Sequence, residues 1–284
     1  MQNERQQNNS RYESEKSDDM LKNAELCDDI SKWSTSDRES IYWKKQGLSI
    51  REKFYGKDNP RLCDFYAEMS EILLRGGEYK KSLLYCEKAL KIKEKNNCSY
   101  KDVLYIYEVM ITNYYLSDEL DKGLACGLTV LNDPRIEAIT ASDSVIQIMK
   151  YLAFINNESG KSDEAKIWIQ KGIDKAKDWY GEDSVQVAEM NIEKAQNISD
   201  PNQKLEILKV ALEILLDKVG MYDNRTKKAY RCIWKCWEKE TNEPIELALQ
   251  WLKKNLSNED FLKVYSWGRS NHKISGKEIQ IERI

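Results

Sequence analysis

An internal repeat of roughly 40 residues is the feature that most limits how this chain can fold. The repeat is marked by four similar pairs, each a small residue followed by an aliphatic one: Gly47-Leu48, Ala89-Leu90, Gly172-Ile173 and Ala211-Leu212. The steps between the pairs are 42, 83 and 39 residues, and the middle step holds two periods because the segment around Leu128 supplies the missing unit. With a weaker unit near Leu252, the sequence predicts about six units.

Each unit contains two runs of apolar residues at helical spacing, separated by a short polar break. In the second unit, residues 60–74 form the first run and residues 80–95 the second, with "RGGEY" at the break. Apolar residues three and four positions apart predict one buried face on each helix. So short a break predicts that the two helices pack antiparallel as a hairpin. Because a single hairpin cannot bury its own apolar face, neighbouring hairpins are expected to stack.

The joints between hairpins also repeat. In "LSIREKFYGKDNP", Gly56 suits the left-handed turn that ends a helix, Asn59 can cap the next helix, and Pro60 fits its first position. Gly181 and Gly220 predict the same kind of joint later in the chain. The predicted units are residues 18–56, 57–98, 99–139, 140–181, 182–222 and 223–257.

The two ends differ from this repeat domain, which is predicted to span 18–257. Residues 1–17 are polar and hold only two large apolar side chains, so we expect a disordered segment. Residues 258–284 are predicted to form a short capping helix, over 258–268, and a flexible tail. The tail contains "KEIQIERI", whose alternation suits a strand. It is therefore either disordered or able to add to the sheet edge of a partner.

Composition narrows the classes of function. The 284 residues are 41% hydrophobic and 33% charged, and the net charge is −3. The chain has 8 Trp and 16 Tyr that could stack on bases, but its negative net charge disfavours nucleic acid as a partner. No apolar run approaches the roughly 20 residues of a membrane span, and the N-terminal residues lack the apolar core of a signal peptide. We therefore expect a cytoplasmic protein with no membrane partner, whose seven scattered cysteines are free thiols.

Candidates for chemistry are few. His272 is the single histidine and lies in the polar C-terminal tail, and no phosphate-binding glycine motif occurs. Cys232 and Cys236 lie one helical turn apart and could offer soft metal ligands, but packing beside Trp234 and Trp237 is the favoured interpretation because a structural zinc site normally needs four ligands. The sequence therefore predicts no catalytic residue, no metal site, no cofactor and no enzyme activity.

Two units resemble tetratricopeptide repeats (TPRs), in particular the longer repeats of the kinesin light chain group. The matching segments are Met69-Ser70, residues 77–82 and Ala89-Leu90-Lys91-Ile92 in the second unit, and Leu152-Ala153 with residues 160–165 in the fourth. The resemblance covers about 240 residues, and in the other units it consists mainly of matching repeat spacing. It implies an all-α solenoid of helix-turn-helix hairpins that forms a right-handed superhelix, with first helices lining a concave groove.

The resemblance also implies a function, because members of this family usually bind peptides or protein domains in that groove. We therefore expect a scaffold or adaptor for another protein, of unknown identity and oligomeric state. The alternative is a regulatory sensor whose superhelix responds to a signalling peptide or small ligand. The light chain group tends to carry Asn just before the apolar–small pair, where this chain has Glu68, Val109 and Tyr151. The predicted groove residues are Glu68, Tyr107, Asn113, Tyr114, Lys150 and Tyr151.

Overall fold

The computed structural model of the protein describes residues 2–96, 99–239 and 253–254, with side chains omitted for 2–17, 234 and 237–239. Eleven α-helices and no strand occur within these ranges. The chain forms two compact units, Met1–Lys161 and Ser162–Ile284. The predicted capping helix and tail at 258–284, including His272, lie outside the described residues.

The first unit contains seven helices, and each helix packs against the next one in sequence. They are α1 (Gln2–Trp33), α2 (Asp37–Tyr55), α3 (Cys63–Arg75), α4 (Tyr79–Lys95), α5 (Tyr100–Leu116), α6 (Leu120–Leu131) and α7 (Asp143–Glu158). α5 also packs against α3 and α7, so the three first helices of successive hairpins share contacts. The core between α3, α4 and α5 includes Leu62, Tyr66, Met69, Cys86 and Ile106, all almost fully buried.

The second unit contains α8 (Ser162–Tyr180), α9 (Val185–Gln196), α10 (Pro201–Lys218) and α11 (Asn224–Lys239). α9 packs against α8, α10 and α11. The core of this unit is built from aliphatic side chains such as Ile192, Leu205, Leu208, Leu212 and Leu215. Cys232 and Cys236 are partly buried against the same core, as the packing interpretation of this pair predicts.

Three tight turns have nearly the same geometry, and each joins the two helices of a predicted hairpin. Their central residues have left-handed backbones, with φ of 74° at Gly77, 62° at Asp118 and 74° at Gly160. In each turn, the next backbone N–H donates to a carbonyl five residues earlier, as from Glu78 to Leu73 at 2.8 Å. Two of these residues are glycines and the third is Asp118, whose short polar side chain tolerates the left-handed conformation.

A polar residue followed by proline begins three helical segments. The side chain accepts a hydrogen bond from the backbone N–H two residues later, which confirms the predicted cap at Asn59. The three bonds are Arg61 N to Asn59 at 3.0 Å, Arg135 N to Asp133 at 2.9 Å and Asn202 N to Asp200 at 3.0 Å. After Asn59 and Asp133 the chain first makes a short 3₁₀ turn, at Pro60–Leu62 and Pro134–Ala138.

The division of the chain at residues 17 and 258 stays a prediction. α1 begins at Gln2, so the segment predicted to be disordered has helical backbone geometry. Helical geometry by itself does not measure mobility. Six described cysteines are free thiols, and Cys98 lies outside the described residues.

Candidate partner-binding surface

An aromatic cluster joins the first helices of two successive hairpins in the first unit. The ring of Tyr115 on α5 lies 5.8 Å from that of Tyr151 and 5.7 Å from that of Phe154, both on α7. Tyr151 and Phe154 meet edge to face at 5.7 Å. All three side chains are half-buried, so each ring keeps part of its surface accessible. We call Tyr115, Tyr151 and Phe154 the aromatic cluster.

Carboxylates surround a further aromatic side chain on α5. The hydroxyl of Tyr105 donates to Glu71 Oε2 at 2.5 Å, which links α5 to α3. Burial raises the pKa of Tyr105, and so do its hydrogen bond to Glu71 and the charges of Glu71, Glu108 and Glu68. The ring remains 38% exposed. We call Glu68, Glu71 and Glu108 the acidic rim.

The aromatic cluster and the acidic rim lie on one side of α5. Tyr105, Glu108 and Tyr115 are separated by three and seven residues, which places them along one stripe of the helix. Through this stripe, the accessible sides of α3, α5 and α7 form one surface, which we call the first-helix face. Rings that keep accessible area beside carboxylates can contact an apolar side chain and a basic one in the same segment.

A cleft of about 390 Å³ opens next to the acidic rim. Glu68 and Glu71 line it from α3, and Ser31, Ser40 and Lys44 line it from α1 and α2. Lys44 is 4% exposed, pairs with Glu68, and lies 3.1 Å from Asp28 Oδ1. The negative charge of Glu68 is therefore partly neutralised by Lys44 within the first unit.

Three of the six predicted groove residues lie on the first-helix face. Glu68 is exposed in the acidic rim, and Tyr151 belongs to the aromatic cluster. Lys150 is half-buried, with its Nζ 5.8 Å from the Tyr151 ring centroid. Whether they contact a partner stays a prediction.

The other three predicted residues lie elsewhere on α5. Tyr107 and Tyr114 pack against the core of the second and third hairpins, and burial is the main cause that raises the pKa of both. Asn113 is 0% exposed, so the expectation that it is accessible in a groove is wrong. Its Nδ2 donates to Ser82 Oγ and to the Val109 carbonyl, each at 2.8 Å, because this side of α5 packs on α4.

Sequence reasoning missed Tyr105, Glu71, Tyr115 and Phe154 at this face. Tyr105 and Tyr107 are aromatic residues of one apolar helix and look alike in the sequence, although their side chains point to nearly opposite sides of that helix. The spacing of Tyr105 and Tyr115 could have placed both on one stripe. However, α5 is apolar on most of its circumference, so periodicity alone does not say which stripe is accessible.

Neither a metal-binding cluster nor a membrane-spanning helix occurs in the described part of the chain. There, no group of three or more His, Cys, Asp or Glu side chains is arranged to hold a metal ion. Within the same ranges, no helix has both the length and the apolar character needed to cross a membrane.

No protein-family model matches the sequence, and no curated protein sequence matches it either. The chain is similar to the crystal structure of BtubC (BKLC) from P. vanneervenii, a kinesin-light-chain-like TPR protein. The TM-score is 0.60 at 12% sequence identity, and the match covers 93% of this chain and 98% of that chain. Identity this low shows the fold alone. The chain has the all-α, TPR-like solenoid fold that its sequence predicts.

Proposed function

We propose that the protein is a non-enzymatic, cytoplasmic TPR-type scaffold or adaptor that binds a segment of another protein on the first-helix face. The fold supports this role in general, because TPR-like proteins commonly mediate protein interactions. The observation that carries the proposal is the aromatic cluster, where Tyr115, Tyr151 and Phe154 meet across two helices and keep accessible surface. Clustered aromatic side chains dominate the energetics of many protein interfaces.

The acidic rim indicates what kind of segment binds there. Glu71 and Glu108 lie beside Tyr105, where a Lys or Arg side chain would gain an ion pair at the edge of an apolar contact. We therefore propose a partner segment that carries an aliphatic or aromatic side chain and a basic one. Lys150, above the Tyr151 ring, would limit how many basic residues the segment can hold.

Site-specific photocrosslinking tests the proposal directly. A photoreactive phenylalanine analogue placed at Phe154 should form a crosslink to the partner, and the same analogue at Tyr222 should not. Tyr222 is a matched control because it is an exposed aromatic residue, 67% accessible, in the second unit. Crosslinks of equal yield from both positions would contradict the proposed site.

Truncation of the cluster gives the complementary test. The double variant Tyr115→Ala/Phe154→Ala should weaken partner binding by about tenfold or more, since interface aromatics often contribute over 1 kcal/mol each. Trp33→Ala is the control, because Trp33 is 84% exposed and lies outside the first-helix face. Unchanged affinity in the double variant, with wild-type far-UV circular dichroism, would move the binding site elsewhere.

A regulatory sensor is the second candidate function, and the cleft of about 390 Å³ beside Lys44 is the observation that favours it. A small polar ligand there would contact Ser31, Ser40 and the Lys44–Glu68 pair between the first two hairpins. Thermal unfolding in the presence of pooled polar metabolites separates the two functions. The melting temperature of a sensor should rise in the presence of the ligand, and Ser40→Leu should abolish this increase. A scaffold without a small ligand should show no change in melting temperature.

A further inference from the structure

The outer face of α4 carries an unusual concentration of lysine. The helix contains six lysines and two glutamates, a net charge of +4, in a chain whose net charge is −3. Four of these lysines fall on one stripe because they recur at helical spacing: Lys81, Lys88, Lys91 and Lys95. All four are exposed.

The same stripe includes an apolar contact point. Leu84 is 58% exposed, and Tyr85 beside it is half-buried. These residues and Lys81, Lys88 and Lys91 line a cleft of about 480 Å³, with Glu87 as its acidic member. We call Lys81, Leu84, Tyr85, Lys88, Lys91 and Lys95 the α4 stripe. It shares no residue with the first-helix face, so the two surfaces are tested separately.

Intramolecular contacts leave most of this positive charge uncompensated. Lys81 pairs with Glu78, and Lys88 Nζ lies 4.6 Å from the centroid of the Tyr85 ring. Among the residues that the structure describes, no carboxylate lies within 4.0 Å of the ammonium groups of Lys88, Lys91 or Lys95. An anionic partner would therefore not have to displace ion pairs at these three positions.

We propose that the α4 stripe binds an acidic polypeptide segment in polyproline II conformation. Lys81, Lys88 and Lys95 are seven residues apart, which places their Cα atoms about 10.5 Å apart along the helix axis. A polyproline II helix has three residues per turn and rises about 3.1 Å per residue, so a Glu or Asp at every third position lies on one side of the segment, about 9.3 Å apart. One apolar side chain of the segment would pack on Leu84.

The shape of the stripe favours a polypeptide over other anions. A helix that binds a membrane surface presents several large apolar side chains, whereas the α4 stripe exposes one leucine. Single-stranded nucleic acid is bound largely by base stacking on accessible rings, and Tyr85 is occupied by Lys88 and by Tyr66, whose ring centroid lies 5.9 Å away.

Fluorescence anisotropy with the full-length chain tests the proposal. The probe is a labelled peptide of about 15 residues with Glu at every third position and one Leu, and the comparison peptide has Gln in place of each Glu. The protein should bind the Glu peptide and not the Gln peptide. Affinity should fall by about tenfold between 50 and 200 mM NaCl, because the contacts are exposed charge pairs.

Two charge-matched variants locate the site. Lys88→Glu/Lys91→Glu should weaken Glu-peptide binding by about tenfold or more, while Lys45→Glu/Lys53→Glu on α2 should change it by less than about twofold. Both pairs are exposed, so both variants should keep the wild-type melting temperature. Equal weakening in the two variants, or equal binding of the Gln peptide, would overturn the proposal. Binding to phosphatidylserine vesicles without binding to the Glu peptide would instead identify a membrane surface and overturn the polypeptide assignment.

Discussion

The first three helices and the last described helices use different chemistry to pack. Between α1, α2 and α3, Asp28 lies between Lys44 and Arg51, with Arg51 Nη2 at 2.6 Å and Lys44 Nζ at 3.1 Å. All three side chains are buried. Arg51 also stacks on the Phe65 ring at 4.0 Å. Between α9, α10 and α11 the core is mainly aliphatic, and buried Glu193 pairs with half-exposed Lys228.

This difference shows that one hairpin plan accommodates two kinds of interface. Aliphatic packing stabilises α9 to α11 in proportion to the apolar area that it buries. A buried ion pair adds little net stability, because desolvation offsets the attraction, but each charge then depends on its partner. The α1–α3 interface should therefore be more sensitive to loss of a single charge, and the α9–α11 interface to loss of volume.

The largest effect is expected from Asp28→Ala. The substitution removes the carboxylate that pairs with both Lys44 and Arg51 and leaves Arg51 buried without an ion-pair partner among the described residues, so the free energy of unfolding should fall by about 3–5 kcal/mol, measured by urea denaturation. Asp29→Ala is the control, and it should change stability by less than about 0.5 kcal/mol because Asp29 is exposed. An Asp28→Ala variant as stable as Asp29→Ala would show that the buried charges are compensated by other groups.

Leu212→Ala is the corresponding test of the aliphatic interface. Leu212 is fully buried in the core of the second unit, so the cavity should lower the free energy of unfolding by about 2–5 kcal/mol. Val210→Ala, on the same helix but 51% exposed, should cost much less. If the two variants had equal stability, the core around Leu212 would have to collapse without loss of contacts.

Two helical glycines compare the backbone approach of α2 to α1 with that of α8 to α9. A Cβ at Gly47 would lie 2.9 Å from the Ala24 carbonyl oxygen, whereas a Cβ at Gly172 would meet the flexible end of Met190. Gly47→Ala should therefore cost about 1–3 kcal/mol because backbone atoms cannot move aside easily.

Gly172→Ala should lie within about 1 kcal/mol of wild type, since alanine favours a helix and Met190 can change rotamer. Thermal unfolding of the two variants side by side measures the difference. A Gly47→Ala variant as stable as Gly172→Ala would show that α1 shifts readily relative to α2.

The smallest effect concerns pH and the buried thiol of Cys86 in the core between α3 and α5. Burial raises the pKa of Cys86 from 9.0 to about 11, so the fold favours the neutral thiol. The stabilisation is present below the unfolded pKa and is lost as pH rises from about 9 through 11, by about 1 kcal/mol at pH 10.

The stability difference between wild type and Cys86→Ala, measured by denaturation at pH 8 and pH 10, isolates this contribution. Wild type should lose about 1 kcal/mol more than the variant over this interval. An equal loss in both proteins would indicate that water reaches the thiol in the folded state.

Much of the secondary structure could be predicted from short segments. The cap at Asn59, the joint at Gly56 and the break at Gly77 each act within a few residues, so the sequence alone places the helix ends. Glu68 and Tyr151 stand just before the apolar–small pair of their first helices and keep accessible surface, whereas Val109 at the same position of α5 is buried, so the register alone does not decide accessibility. The burial of Asn113 could not be predicted either, since its partner Ser82 lies 31 residues away on another helix.

The sequence by itself determined the repeat, several helix ends and the all-α fold, because periodicity and capping are local properties. Only the tertiary structure decided which side of α5 is accessible. That helix is apolar on most sides, and packing against the neighbouring helices determines which side is buried. Only the tertiary structure brought Asp28 to Lys44 and Arg51, and Tyr115 to Phe154. Such pairs join residues on different helices, and no local pattern in the sequence encodes the distance between them.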